Sequence, residues 1–295
     1  MKKFGSLSLA LVALLALAGC STPVPKPSST GLQIVASTSV WGNIAQLVVG
    51  NHGTVQVLVS NLSQDPHSYE ATVRDRLAVQ KADYVVYNGV GYDDFMLKLN
   101  SFATSNVEPF AACAKVAVEH CFYQIGQAAE AAKSIAKELS KLDPANQDYY
   151  TANALKVAAS DTKLLNYSHG IVTGLDNIGV IETEPLMDPL LSDMGFENKT
   201  PLAFTKAVEE GRDAPVDALK EVQDRIIAAK MSFLAVNRQT SSNQIEALVK
   251  LCNDNGVSVV YFDELLPAGQ NYFEWMNAKI AEIRKLTGVD PIANG

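Results

Sequence analysis

The sequence predicts an α/β protein of two lobes, each built on a mostly parallel sheet, joined by one long rigid helix. Three observations carry this. From residue 31 short apolar runs alternate with amphipathic stretches, the rhythm of βαβ units. The same rhythm restarts near residue 177. Between them lies a helical stretch, 145–169, long enough at about 1.5 Å per residue to run roughly 35 Å or more.

The chain has 295 residues and 47% hydrophobic content, enough to bury one large core or two medium ones. Residues 1–19 lie outside that body. Lys2 and Lys3 precede an apolar run from Leu7 to Ala18, too short to span a bilayer as a mature helix and right for a signal peptide. The "LAGC" that closes it resembles a bacterial lipobox, which implies cleavage before Cys20 and lipidation of its thiol. "STPVPKPSST" follows, rich in Pro and Ser, so 20–30 reads as a lipidated cysteine and a tether. Losing residues 1–19 removes two lysines and no acid, taking the net charge from −8 to −10. That acidic balance disfavours a nucleic-acid partner, because phosphate binding needs a basic face.

The elements follow in order. In the first lobe, 31–143, "LQIVAST" (32–38), "VQVLV" (55–59) and "YVVYNG" (84–89) read as strands. "VWGNIAQLVVG" (40–50), "RDRLAVQKA" (74–82) and "DDFMLKLNSFA" (93–103) read as helices between or after them. "GQAAEAAKSIAKELSKL" (126–142) places Ala132, Ile135, Ala136 and Leu139 on one helical face. The linking helix, 144–170, has Pro144 near its start and Gly170 past its end. In the second lobe, 171–295, "NIGVIETE" (177–184), "SFLAVN" (232–237) and "VSVVYF" (257–262) read as strands, and 214–230, 241–256 and 271–286 as helices. Trp41 and Trp275 read as packing residues, His52 as a turn residue and His169 as a cation at a helix C-terminus.

Export favours disulfides. Cys113 and Cys121, eight apart around a turn-like segment, are candidates to pair, and Cys252, inside a helical pattern, reads as a buried free thiol. There is no CxxC, HExxH or GxSxG in the chain.

Four segments place possible metal ligands in loops beyond strands, where open α/β sheets gather their ligands. His67 stands in "DPHSYE", His120 in "EHCFYQ", Glu184 in "ETEPL", and Asp263 and Glu264 in "YFDELLP". Two imidazoles from one lobe and two carboxylates from the other suit a first-row divalent cation and balance its charge. Adjacent acids point to opposite faces of an extended chain, so either Asp263 or Glu264 can be the last ligand.

The ordered set resembles the zinc- and manganese-binding solute-binding lipoproteins of bacterial ABC importers, over essentially the whole mature body. "DPHSYE" matches the family loop of the first ligand histidine, "EHCFYQ" that of the second, and "ETEPL" the third ligand segment. "VSVVYFDELLPAGQNYFEWM" matches the last ligand segment, with Glu264 in the place of the ligand acid. The resemblance implies a cargo site of His67, His120, Glu184 and Glu264, no catalysis, and a monomer lipid-anchored on the outer face of the cell membrane that delivers metal to a permease. Gln124 stands where an acid is usual, Glu184 replaces a histidine, and the His-rich loop of zinc-specialised members is absent. Zinc is favoured by intrinsic affinity, and manganese by the carboxylates and the missing loop. A secreted metallohydrolase and a metal-independent adhesin lipoprotein are the alternatives.

Overall fold

The structure is a computed structural model, and it describes residues 31–176 and 178–288. The signal peptide, Cys20 and the tether lie outside the described residues.

The first lobe runs β1 (Leu32–Thr38), α1 (Ser39–Val49), β2 (Gly53–Val59), α2 (Val73–Lys81), β3 (Tyr84–Tyr87), α3 (Phe95–Asn100), β4 (Phe110–Ala111) and α4 (Gln127–Leu142). The helix α5 (Gln147–Ser168) leads to β5 (Gly179–Glu182), α6 (Asp188–Met194), β6 (Glu197–Asn198), α7 (Leu202–Glu209), α8 (Val216–Ile227), β7 (Phe233–Asn237), α9 (Asn243–Asp254), β8 (Ser258–Phe262) and α10 (Tyr272–Thr287). The two sheets have the orders β2-β1-β3-β4 and β6-β5-β7-β8, and every pairing among the described residues is parallel. In each sheet the chain leaves the first strand for one side and crosses over it to the other. β1 and β5 are therefore switch points, with a crevice outside their carboxyl ends.

The central strands are buried on both faces, as parallel sheets covered by helices require. Ile34, Val35 and Ala36 of β1 and every residue of β5 and β7 are buried. The helix α1 lies so close to β2 that a Cβ on Gly42 would come within 2.4 Å of Val57 Cγ2, so only glycine fits there. Local signals set several helix starts. Thr72 and Asp75 form a capping box on α2, Asn271 and Glu274 another on α10, and Ser242 caps α9.

The linking helix buries Tyr150, Asn153, Ala154, Val157, Asp161, Leu164 and Ser168, a stripe at spacings of three and four. That stripe packs on α4 and α1 of the first lobe and on α10. Asp161 Oδ2 accepts a 2.7 Å hydrogen bond from the Ala129 amide and so caps α4 from the side. Arg284 of α10 donates to the carbonyls of Tyr167 and His169, satisfying acceptors at the end of α5. One core runs beneath both sheets, with Trp41, Tyr84 and Tyr123 from the first lobe and Phe233, Val260 and Trp275 from the second. A smaller core covers the outer face of the second sheet around Phe204, Val222, Leu248 and the free Cys252.

The strand of 177–184 is shorter than its sequence pattern, ending at Glu182, so Glu184 lies two residues into the turn. The short β4, β6, α6 and α7 carry too few residues for a period to show in the sequence.

Candidate metal centre

The loop of His67 is folded by its own acceptors. Asp65 Oδ1 accepts from the His67 amide at 2.8 Å, an Asx-type turn, and Ser68 Oγ reaches the Asp65 carbonyl. The Tyr69 hydroxyl donates to Asp75 Oδ2 at 2.9 Å, tying the loop to the cap of α2. His67 keeps a quarter of its side-chain surface exposed.

His120 is buried. Its neighbour Cys121 is bonded to Cys113 with 5.6 Å between Cα atoms, which closes the loop that carries it. Asn88, at the end of β3, donates to the Glu119 carbonyl at 2.7 Å and accepts from Trp41 Nε1 at 2.9 Å, so the loop is also held to the core. Burial first, and nearby His67 second, lower the His120 pKa to about 3. A hydrogen bond to the Pro185 carbonyl opposes both. The ring is therefore neutral near pH 7, and its Nε2 has no protein partner.

Glu264 follows β8 and is fully buried. Its Oε1 accepts from Asn237 Nδ2 at 2.7 Å, while its Oε2 has no hydrogen-bond donor and stands 3.6 Å from His67 Nε2. Burial and the nearby Glu184 raise its pKa well above the usual carboxylate range, with the Asn237 bond acting against them. Asp263 turns the other way, toward Arg238 at 3.2 Å and Lys279 at 3.8 Å. The Tyr92 ring stands edge-on to both His67 and His120, 5.0 and 5.5 Å away.

Among the described residues, one group brings possible ligand atoms together. His67, His120 and Glu264 each offer an atom, all within 4.8 Å of one another. Glu184 is outside this group but one amide away. Asn237 Nδ2 donates to Glu184 Oε2 as well as to Glu264, and Thr240 Oγ1 donates to Glu184 Oε2 at 2.8 Å. Burial raises the Glu184 pKa, opposed first by those two bonds. Asn237, Thr240 and Tyr92 were not singled out by the sequence patterns. Asn237 and Thr240 left a trace there, within "VNRQTSS" (236–242), a stretch that also resembles the family, and Tyr92 left none.

A buried polar atom without a partner costs about 1–3 kcal/mol. Here two such atoms, His120 Nε2 and Glu264 Oε2, belong to one cluster and both offer lone pairs. A proton or a cation shared at that point satisfies both, and a dication does so with imidazole and carboxylate in their preferred roles.

A family model described as the periplasmic zinc-uptake complex component A matches residues 34–286. The manganese ABC transporter substrate-binding lipoprotein PsaA of Streptococcus pneumoniae is 25% identical over 314 residues, covering 96% of this chain and 99% of its own. The laminin-binding protein Lmb of Streptococcus agalactiae, described as a bifunctional protein with adhesin and metal-transporting activity, superposes with a TM-score of 0.73 at 21% identity, over 87% of this chain and all of its own. FpvC of Pseudomonas aeruginosa, solved with Mn2+, gives 0.71 at 23% identity, over 88% and 99% of the two chains.

Proposed function

Since this chain belongs to the periplasmic zinc-uptake component A family, we propose that it captures one divalent transition-metal ion between its lobes and delivers it to the permease of an ABC importer. The observation that carries this is the pair of buried, unpartnered lone-pair atoms on His120 and Glu264 beside His67. In this reading His67, His120 and Glu264 bind the ion directly, and Glu184 completes the set when Asn237 and Thr240 yield to the cation's pull. Two neutral imidazoles and two carboxylates then neutralise a 2+ charge, which lowers the cost of burying it.

Zinc is the first cargo and manganese the second. The usual affinity order puts zinc above manganese on such ligands, and the family description names zinc, while PsaA is named for manganese. The "LAGC" lipobox supports a lipid anchor at Cys20, and PsaA is named a lipoprotein. No helix among the described residues is long and apolar enough to cross a membrane. An adhesin role, as named for Lmb, gives no account of the unpartnered pair and is the weaker reading.

The test is metal analysis of the protein recovered from its native host, with calorimetric titration of the metal-free protein. About one equivalent of zinc or manganese per chain, bound with submicromolar affinity, is expected. Substoichiometric metal with only millimolar affinity would sink the reading.

A further inference from the structure

The two histidines differ in what stands behind them. His120 has a backbone partner for its second nitrogen, the Pro185 carbonyl. His67 has a side chain. Its Nδ1 lies 3.4 Å from Glu119 Oε1, while its Nε2 lies 3.6 Å from Glu264 Oε2 on the opposite edge of the ring. We propose that Glu119 is the positioning residue of His67: its carboxylate accepts a hydrogen bond from Nδ1–H, which keeps the proton on that nitrogen and leaves Nε2 as the lone-pair donor to the cargo metal. This rests on the metal-capture reading of the same cleft.

A neutral imidazole carries its proton on one nitrogen only, and the hydrogen bond made by the other decides which nitrogen ligates. A proton on Nε2 would bond to Glu264 and close the site. Glu119 removes that alternative by offering a second acceptor on the far edge. A carboxylate there also makes Nε2 more basic and adds negative charge just behind the ligand, both of which favour a dication.

The main chain of Glu119 is fixed well enough for this task. Asn88 Nδ2 binds its carbonyl at 2.7 Å, and the Cys113–Cys121 bond closes the loop two residues further on. His120 offers an atom to the group with His67 and Glu264 while Glu119 reaches the Nδ1 edge of His67, so one dipeptide ligates with one side chain and orients the other histidine with the next. The Glu119 side chain is about one-third exposed at 32%, so replacing it leaves no hole in the core.

The test compares Glu119→Ala, Glu119→Gln and His67→Ala with the wild type by zinc titration against a competing chelator. Histidine-ring NMR of the zinc-loaded proteins follows the His67 Nδ1–H resonance. Glu119→Ala should weaken zinc binding by about 10–100-fold and shift or broaden that resonance. Glu119→Gln, which keeps a neutral acceptor, should recover part of the loss. Zinc affinity within twofold of wild type in Glu119→Ala, or a weakened Glu119→Ala whose His67 Nδ1–H resonance is unmoved, overturns the positioning role. A His67→Ala variant that binds zinc as tightly as the wild type takes His67 out of the site and the positioning role with it, whereas a wild type with only millimolar affinity for zinc and manganese overturns the capture reading itself.

Discussion

The Tyr123 hydroxyl of the first lobe donates a 2.7 Å hydrogen bond to the backbone carbonyl of Asp263 in the second. It has company. The Tyr92 hydroxyl reaches the Glu264 carbonyl at 3.3 Å, the Leu266 amide donates to Ser39 Oγ at 2.9 Å, and the Tyr272 hydroxyl donates to the Phe122 carbonyl at 2.7 Å. The segment that carries Glu264 is thus sewn to the lobe that carries both histidines. Glu184, on the other side, is linked to the group through its side-chain bond to Asn237 and through the carbonyl of its neighbour Pro185, which His120 bonds.

Tyr123→Phe keeps the ring, which packs 4.9 Å from Trp275, and removes the hydroxyl. The Asp263 carbonyl then loses a buried donor, so unfolding in urea should come about 1–2 kcal/mol earlier. Zinc affinity should fall by less than tenfold, because no ligand atom is lost. Unchanged stability would show that the bond does not hold the segment.

The two adjacent acids should separate cleanly. Glu264→Gln should cost at least about tenfold in zinc affinity, or 1.4 kcal/mol. Asp263→Asn should leave affinity within about threefold of wild type but lower the melting temperature, because Arg238 and the mostly buried Lys279 lose their anion. The reverse pattern in calorimetry would make Asp263 the ligand.

Cys113→Ser with Cys121→Ser should cost about 2.5 kcal/mol, the chain-entropy figure for a loop of this separation. Because Cys121 adjoins His120, zinc binding should weaken too. Melts and zinc titrations of the double variant check both effects, and full zinc affinity in a destabilised variant would free the His120 loop from any dependence on the bridge.

Asp161 gives a pH signature away from the metal. Burial raises its pKa from 3.8 to about 6, opposed by its bonds to the Ala129 and Gly126 amides. A raised carboxyl contributes stability that is present below pH 3.8 and lost as pH rises through about 6. Asp161→Asn cannot ionise, so its stability relative to wild type should grow from pH 4 to 7, by at most about 3 kcal/mol. Urea unfolding of the metal-free proteins at several pH values reads this, and a difference that stays flat with pH contradicts it.

Much of the fold was legible because its strands are continuous apolar runs and its long helices keep a regular period. The strands β1, β2 and β3 and the length of α5 follow from those patterns, and the order in which the strands pair does not. Elements of two to eight residues, such as β6 and α7, are made by neighbours rather than by a period of their own. In the site, His67, His120 and Glu264 were marked by their loops, and the structure gathers them. Which of Asp263 and Glu264 faces the cleft was not legible, because that depends on Arg238 and Lys279, one from another loop and one from α10. Asn237 and Glu119 both stand in stretches that the sequence marks, "SFLAVN" and "EHCFYQ", but their roles rest on geometry between segments far apart in the chain, which no local pattern shows.

The last helix has a consequence for the order in which the chain assembles. Trp275, within α10, packs against Phe122 and Tyr123, and Tyr272 bonds the Phe122 carbonyl. The first lobe therefore lacks part of its own interior until residues 272–275 are present. Synthesis alone cannot complete that lobe, and it stays without its final packing through most of its passage out of the ribosome. Under the proposed export of the chain, this arrangement delays the locking of the first lobe, since the residues that complete it follow both sheets.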